Sequence, residues 1–241
     1  MIKMKKIRLG VWILAGAIML QSCYKLVGEG PVVNEVRTTP NFEGVYFKLP
    51  AILYYTEGSD FKVELESQQN ILNEVEAIMS GNDLVLRFRS PNTRLKPSEE
   101  LVIKITAPAL TKLEVHGSGT IHAQTNFAPA NLRLAIDGSG MIDILEVTTH
   151  TMDVEIDGSG RIVLAGGSTE NQSLEIDGSG EMDFGNMVSQ HASTRISGSG
   201  TMKVNVDQTL DVSISGSGSV RYRGNPVVTS SISGSGSVSK W

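Results

Sequence analysis

Along residues 132–144 every even position is apolar or glycine: Leu132, Leu134, Ile136, Gly138, Gly140, Ile142 and Ile144. Residues 152–164 keep the same phase with Met152, Val154, Ile156, Gly158, Gly160, Ile162 and Leu164. Strict alternation marks extended chain with one buried face, and no 3.6-residue period interrupts it. The pattern belongs to a longer repeat. Gly-Ser-Gly begins at Gly117, Gly138, Gly158, Gly178, Gly198, Gly216 and Gly234, at intervals of 21, 20, 20, 20, 18 and 18 residues. These copies hold 14 of the 25 glycines, so the glycine content reflects architecture and not a flexible linker.

Twenty residues of mostly extended chain make one rung, stacked about 4.8 Å above the last. The pattern therefore predicts an all-β fold, a single-stranded, right-handed parallel β-helix (β-solenoid) with rungs of about 18–21 residues. The hand follows from the general handedness of parallel β connections. Residues 31–241 are expected to form this one domain, with an aromatic-rich part over 31–105 and the Gly-Ser-Gly repeats over 106–241. In the first part, residues 42–55, 61–66, 84–89 and 101–105 read as strands, and Ser80-Gly81-Asn82-Asp83 as a turn. Residues 69–77 carry the one helical pattern.

The alternation passes through each Gly-Ser-Gly without slipping. Both glycines of a motif are thus expected to point inward at a bend, as structural corners: Gly138 and Gly140, Gly158 and Gly160, Gly178 and Gly180, Gly198 and Gly200. The intervening serines then face out. Outward positions stack into columns. One reads His116, Asp137, Asp157, Asp177, Ser197, Ser215, Ser233; another reads Glu114, Ala135, Glu155, Glu175, Arg195, Ser213, Ser231. Stacked carboxylates repel by about 1 kcal/mol per pair in water-like surroundings. Glu155, Asp157, Glu175 and Asp177 are therefore the candidate cation or glycan face, the alternative being a solvated face screened by salt.

The N-terminus changes the setting. Lys3, Lys5, Lys6 and Arg8 precede an apolar run over residues 9–20, which is too short for a spanning helix and reads as a secretory signal. Leu20-Gln21-Ser22-Cys23 resembles a lipobox, so residues 1–22 are expected to be a lipoprotein signal peptide, Cys23 the lipidated residue, and residues 23–30 a tether. Without those four basic residues the formal net charge deepens from −5 to about −9. An acidic chain with no basic cluster argues against nucleic acid as a partner. The expected partners are the membrane, through the lipid, then a glycan or an envelope protein, and a further copy of the chain.

Several chemistries are disfavoured. The third glycine of a dinucleotide fingerprint is missing, and the calcium nonapeptide G-G-x-G-x-D does not occur. A nucleophile occurs once beside a base, whereas the Gly-Ser-Gly serine recurs in every rung. His116 and His122 bracket Gly117-Ser118-Gly119 and read as a surface pair across the bend; His150 and His191 are scattered. β-Helix polysaccharide lyases and hydrolases build clefts from long loops, and rung length here varies by only three residues. The expectation is a protein that is not an enzyme and carries no cofactor.

Gly28-Glu29-Gly30-Pro31-Val32-Val33, Phe42-Glu43-Gly44-Val45, Asn82-Asp83-Leu84-Val85-Leu86, Ala107-Pro108-Ala109-Leu110 and the repeated Ser-Gly-Ser-Gly occur in that order. Together with the lipobox they resemble the DUF2807 family, the auto-transporter adhesin head GIN domain of Bacteroidetes lipoproteins. The resemblance covers residues 28–239. It implies a right-handed parallel β-helix and an outer-membrane lipoprotein, facing either the periplasm or the exterior, with an adhesion or ligand-binding role. A self-associating envelope scaffold is the alternative, and a polysaccharide-acting enzyme comes third.

Overall fold

The computed structural model describes residues 24–96 and 98–241; the expected signal peptide and Cys23 lie outside these described residues. The chain forms the expected all-β parallel β-helix, wound through one 19-stranded sheet. Its first lateral face stacks Asp83–Phe88, Gly44–Phe47, Lys112–Gly117 and Asn131–Gly138. It continues through the ends of Val147–Gly158, Gly167–Gly178, Glu181–Gly198 and Thr201–Gly216, and closes with Val227–Gly234. The second face runs Val102–Ala107, Ile52–Glu57, Thr120–Ala123, Met141–Ile144 and Arg161–Leu164. Above these come the starts of the two long strands, then Ser219–Arg223 and Ser237–Lys240. A short third face pairs residues 147–149, 167–169, 188–189 and 205–206.

The inward phase read from the sequence fills the core: Leu134, Ile136, Val154, Ile156, Leu174, Ile176, Ile196 and Ile214 are all buried. Full burial of each such side chain contributes about 1.5–3 kcal/mol. Shortening of the repeat also has a location. Phe184 pairs with Val204 but Val188 pairs with Asn205, which drops three residues from the next rung, and the step from Ser189 and His191 to Val206 and Thr209 restores one, leaving the repeat two residues shorter.

The two glycines of each motif have different jobs, which corrects the expectation that both point inward. Gly140, Gly160, Gly180 and Gly200 are buried; Gly138, Gly158, Gly178 and Gly198 are half-exposed and have positive φ. At Gly178 φ is +123°, and a Cβ would lie 2.3 Å from the Gly158 carbonyl oxygen of the rung below. The corner therefore needs glycine for its backbone angle and for rung stacking. A Cβ on Gly180 would instead meet Ile156 Cγ2 at 2.7 Å, so the second glycine makes room for a branched core residue. Ser179, between them, is exposed, and its N–H donates to the Gly158 carbonyl at 2.8 Å.

Chain order and stacking order part company near the N-terminal end. The rung built from Gly44–Phe47 and Ile52–Glu57 lies between the rung of Asp83–Phe88 and Val102–Ala107 and that of Lys112–Gly117 and Thr120–Ala123. Residues 108–111 carry the chain past the intervening rung. Tyr55 holds this crossing: its hydroxyl donates to the Pro108 carbonyl at 3.0 Å and accepts from the Leu110 N–H at 3.2 Å. Its ring is fully buried, and that burial pushes the phenol up to about 12.

Antiparallel strands finish this end. Lys62–Gln68 pairs with Val102–Ala107, Val32–Arg37 pairs with Lys62–Gln68, and Val75–Ser80 pairs with Asp83–Phe88. The helical expectation for residues 69–77 is thus corrected to a single turn, Gln69–Leu72, that buries Ile71 and Leu72. From Val75 onward the chain is strand, because the tight turn at Gly81 (φ +62°) offers it a partner across the hairpin. At the opposite end, Val227–Gly234 is largely exposed, including Val227 and Ile232.

Candidate functional site

The four acids singled out from the sequence share one patch. Glu155 pairs in register with Glu175, and Asp157 with Asp177, on adjacent rungs of the first face. Their repulsion is relieved unevenly. Arg133 reaches Glu155 at 2.7 Å and Glu114 at 3.3 Å, and also pairs with Asp153. It can span these rungs because the column has Ala135 between Glu114 and Glu155. Burial by itself would lower the Arg133 pKa, but the bond to Glu155 and the charges of Asp153 and Glu114 hold it above its ordinary value. Glu175 meets Arg195 at 3.3 Å. Asp157 and Asp177 are exposed and have no ion-pair partner among the described residues. Among those residues no group of three or more His, Cys, Asp or Glu side chains is placed to hold a metal ion.

The two bracketing histidines do not pair with each other. His116 lies on the first face, stacked on Tyr46 with ring centroids 5.9 Å apart and with Nδ1 3.4 Å from Asp137. His122 lies on the second face, stacked on Tyr54 at 5.5 Å and 3.1 Å from Asp143. The corner between them turns the chain from one face to the other, so the expected pair is separated, and each ring packs on the tyrosine of the rung below.

A concavity lies at a different corner, where the third face turns into the first. Buried hydroxyls shape it. Thr149 Oγ1 is 3.0 Å from the carbonyl oxygens of both Ala130 and Thr151, and Thr169 Oγ1 lies 3.2 and 3.1 Å from those of His150 and Asn171. Ser189 Oγ accepts from Gln172 Nε2 at 2.9 Å and reaches the Asn205 carbonyl at 3.3 Å. These contacts satisfy corner carbonyls inside the coil. The Thr149 and Thr169 contacts repeat the same turn on successive rungs, and residues 151, 171 and 191 follow in register at equivalent positions.

The result is a groove of about 750 Å³ running along the stack. One wall is the column Asn131, Thr151, Asn171, His191, Thr209, in register from rung to rung. The other wall is the column Arg133, Asp153, Ser173, Ser193, Asp211. Thr151, Asn171, His191 and Thr209 are half-buried, whereas the second wall is mostly exposed. Thr151 bonds Asn131, and His191 Nδ1 lies 2.8 Å from Thr209 Oγ1. Sequence columns beside the glycines did not include this site. Its signal was there, in polar side chains recurring at the rung interval seven and five positions before the first glycine of each motif.

The sequence matches, over residues 41–226, the family described as "Putative auto-transporter adhesin, head GIN domain" (DUF2807). The chain belongs to the DUF2807 family. Solved structures similar to this DUF2807 chain include a "putative adhesin" from Bacteroides fragilis, with 22% identity and a TM-score of 0.82 over 88% of this chain and 98% of that one. A "putative adhesin" from Parabacteroides distasonis has 18% identity and a TM-score of 0.74, covering 90% of this chain and 99% of its own. A "putative lipid binding protein" from the same organism has 22% identity and a TM-score of 0.73, again over 90% and 99% of the two chains. At these identities the likeness carries the fold. No curated protein matches the sequence. No helix among the described residues is long and apolar enough to cross a membrane.

Proposed function

We propose that this DUF2807 protein is an outer-membrane lipoprotein, anchored through Cys23, whose β-helix serves as a non-catalytic adhesion module. The observation that carries the reading is the lateral surface itself. Rung after rung presents outward polar columns in register, and among the described residues no long loop folds over them. Such a surface suits binding of an extended partner. Family membership supports the adhesin-like role, and the lipobox supports the anchor.

Two measurements test this. Cys23→Ala should release the protein from the membrane fraction; persistence there sinks the anchor. Cells carrying the protein should adhere to host-derived or bacterial surfaces better than cells lacking it, and equal adherence removes the adhesion role. A self-associating scaffold is the second reading, favoured by the uncharged, exposed strand Val227–Gly234, whose free edge and apolar Val227 and Ile232 invite pairing. Light scattering separates the two, since a strict monomer excludes the scaffold.

A further inference from the structure

The acidic patch and the groove are both candidates for contact with a partner, and they differ in how their polar groups are used. In the patch, Glu155 and Glu175 are already neutralised by Arg133 and Arg195, and Asp157 and Asp177 stand out in water. In the groove, the Asn171 amide, the Ser173 and Ser193 hydroxyls and the Asp211 carboxylate make no hydrogen bond to another side chain or backbone group among the described residues. Asn171 is half-buried, so its unused amide sits in a concavity and not on an open face.

We propose that this groove is the ligand site of the protein and that its ligand is a hydroxyl-rich oligosaccharide lying along the coil axis; this rests on the binding role proposed above. Three features favour that class. First, every strand beneath the groove is hydrogen-bonded on both sides. Gly167–Gly178, for example, pairs with both Val147–Gly158 and Glu181–Gly198, so no backbone edge is free to take up a peptide as an added strand. Recognition has to be by side chains. Second, amides and hydroxyls both donate and accept, while Asp211 only accepts. A ligand dense in O–H groups can satisfy all of them. Leu132, Met152 and Ala192 also line the groove and can pack against the apolar faces of sugar rings. An acyl chain would leave the amides and hydroxyls desolvated without partners, and a polyanion would meet Asp211, which has no ion-pair partner among the described residues. Third, polar side chains recur at equivalent positions once per rung, about 4.8 Å apart, and thus suit a polymer with its own short repeat.

The test uses the protein in detergent or amphipol with its anchor intact. It is applied to an array of neutral, N-acetylated and sulfated oligosaccharides, with and without calcium, and to phosphatidylglycerol vesicles. The best-bound oligosaccharide is then titrated against three variants. Ser193→Trp fills the groove from an exposed position, and Asn171→Leu removes the unused amide. Asp157→Asn/Asp177→Asn alters only the acidic patch. Binding of a neutral or N-acetylated oligosaccharide should fall at least tenfold in the first two variants and stay within twofold in the third, with unchanged melting temperatures for Ser193→Trp. Loss confined to the patch variant, or to calcium removal, overturns the groove as the site. Preference for sulfated chains or for vesicles overturns the ligand class. An empty array overturns both parts of this inference, while retained cell adherence would leave the adhesion role standing.

Discussion

Lys112 Nζ and Asp83 Oδ2 meet at 2.7 Å although their strands are not neighbours; Gly44, in the strand between, has no side chain to keep them apart. A Cβ there would lie 2.3 Å from Asp83 Oδ1 and 2.8 Å from Lys112 Cβ. The bond to Asp83 outweighs desolvation and raises the Lys112 pKa. Gly44 is thus one residue of a three-rung contact, although it makes no polar interaction through a side chain of its own.

Gly44→Ala should therefore destabilise the fold by about 1–3 kcal/mol, the range for a change that breaks a partly buried pair and crowds its neighbours. In an Asp83→Ala background part of that penalty should vanish, since residues in contact couple, while the contact with Lys112 Cβ remains. Equal penalties in both backgrounds, read from urea unfolding, would show that the bridge is not what Gly44 protects.

Tyr55→Phe should cost about 1–3 kcal/mol, because it leaves the buried Leu110 N–H without its acceptor. Hydrogen exchange locates the effect. Protection should fall first at Leu110 and its neighbours, and protection unchanged there would refute the role given to the hydroxyl.

The Gly-Ser-Gly corner predicts an order of severity. Gly178→Ala imposes a left-handed backbone angle on alanine and drives Cβ into a carbonyl, so it should lose more than about 2 kcal/mol. Gly180→Ala presses mainly on the Ile156 side chain, with the Gly160 carbonyl oxygen farther off at 3.1 Å, and keeps an ordinary backbone angle, so it should lose less. Ser179→Ala should change stability by no more than about 0.5 kcal/mol. Melting temperatures of the three variants check the ranking, and equal losses at the two glycines would refute their division of labour.

Asp183 offers a pH test. Partial burial raises its pKa, but the bond from Lys203 at 2.7 Å, the Gly185 N–H and the charges of Lys203 and Arg161 prevail, and the net shift is downward. A carboxyl lowered on folding contributes stability above its unfolded value, about 3.9, and loses it as pH falls through the folded value. Asp183→Asn should therefore destabilise at pH 7 and converge with the parent protein in acid. A constant difference across that range would rule out the ionised form as the stabilising one.

The coil was legible because alternation and period speak directly to pleat and stacking: Ile136, Ile156, Ile176 and Ile196 sit inward on successive rungs as their phase requires. Two things were hidden. A positive φ at Gly138 or Gly178 leaves no mark in an alternating pattern, so the first glycine looked like the second. The threading of residues 44–57 between later segments is set by pairing partners far apart in sequence, which periodicity does not encode. The acidic patch was found by aligning columns beside the glycines. The groove, seven and five positions before the first glycine of each motif, needed the corner formed by Thr149 and Thr169 before its columns became two walls.

The displaced rung gives the molecule a direction of assembly. Residues 44–57 are synthesised first, but both of their neighbours come from chain made afterwards, over 83–107 and 112–123. Winding cannot simply begin at the first rung and climb. A knot of about eighty residues has to close as a seed, with long-range pairings that make such steps slow. Beyond it every rung adds onto a finished template. A chain held to a membrane near residue 23 would therefore grow outward from that seed, one rung at a time, toward residue 241.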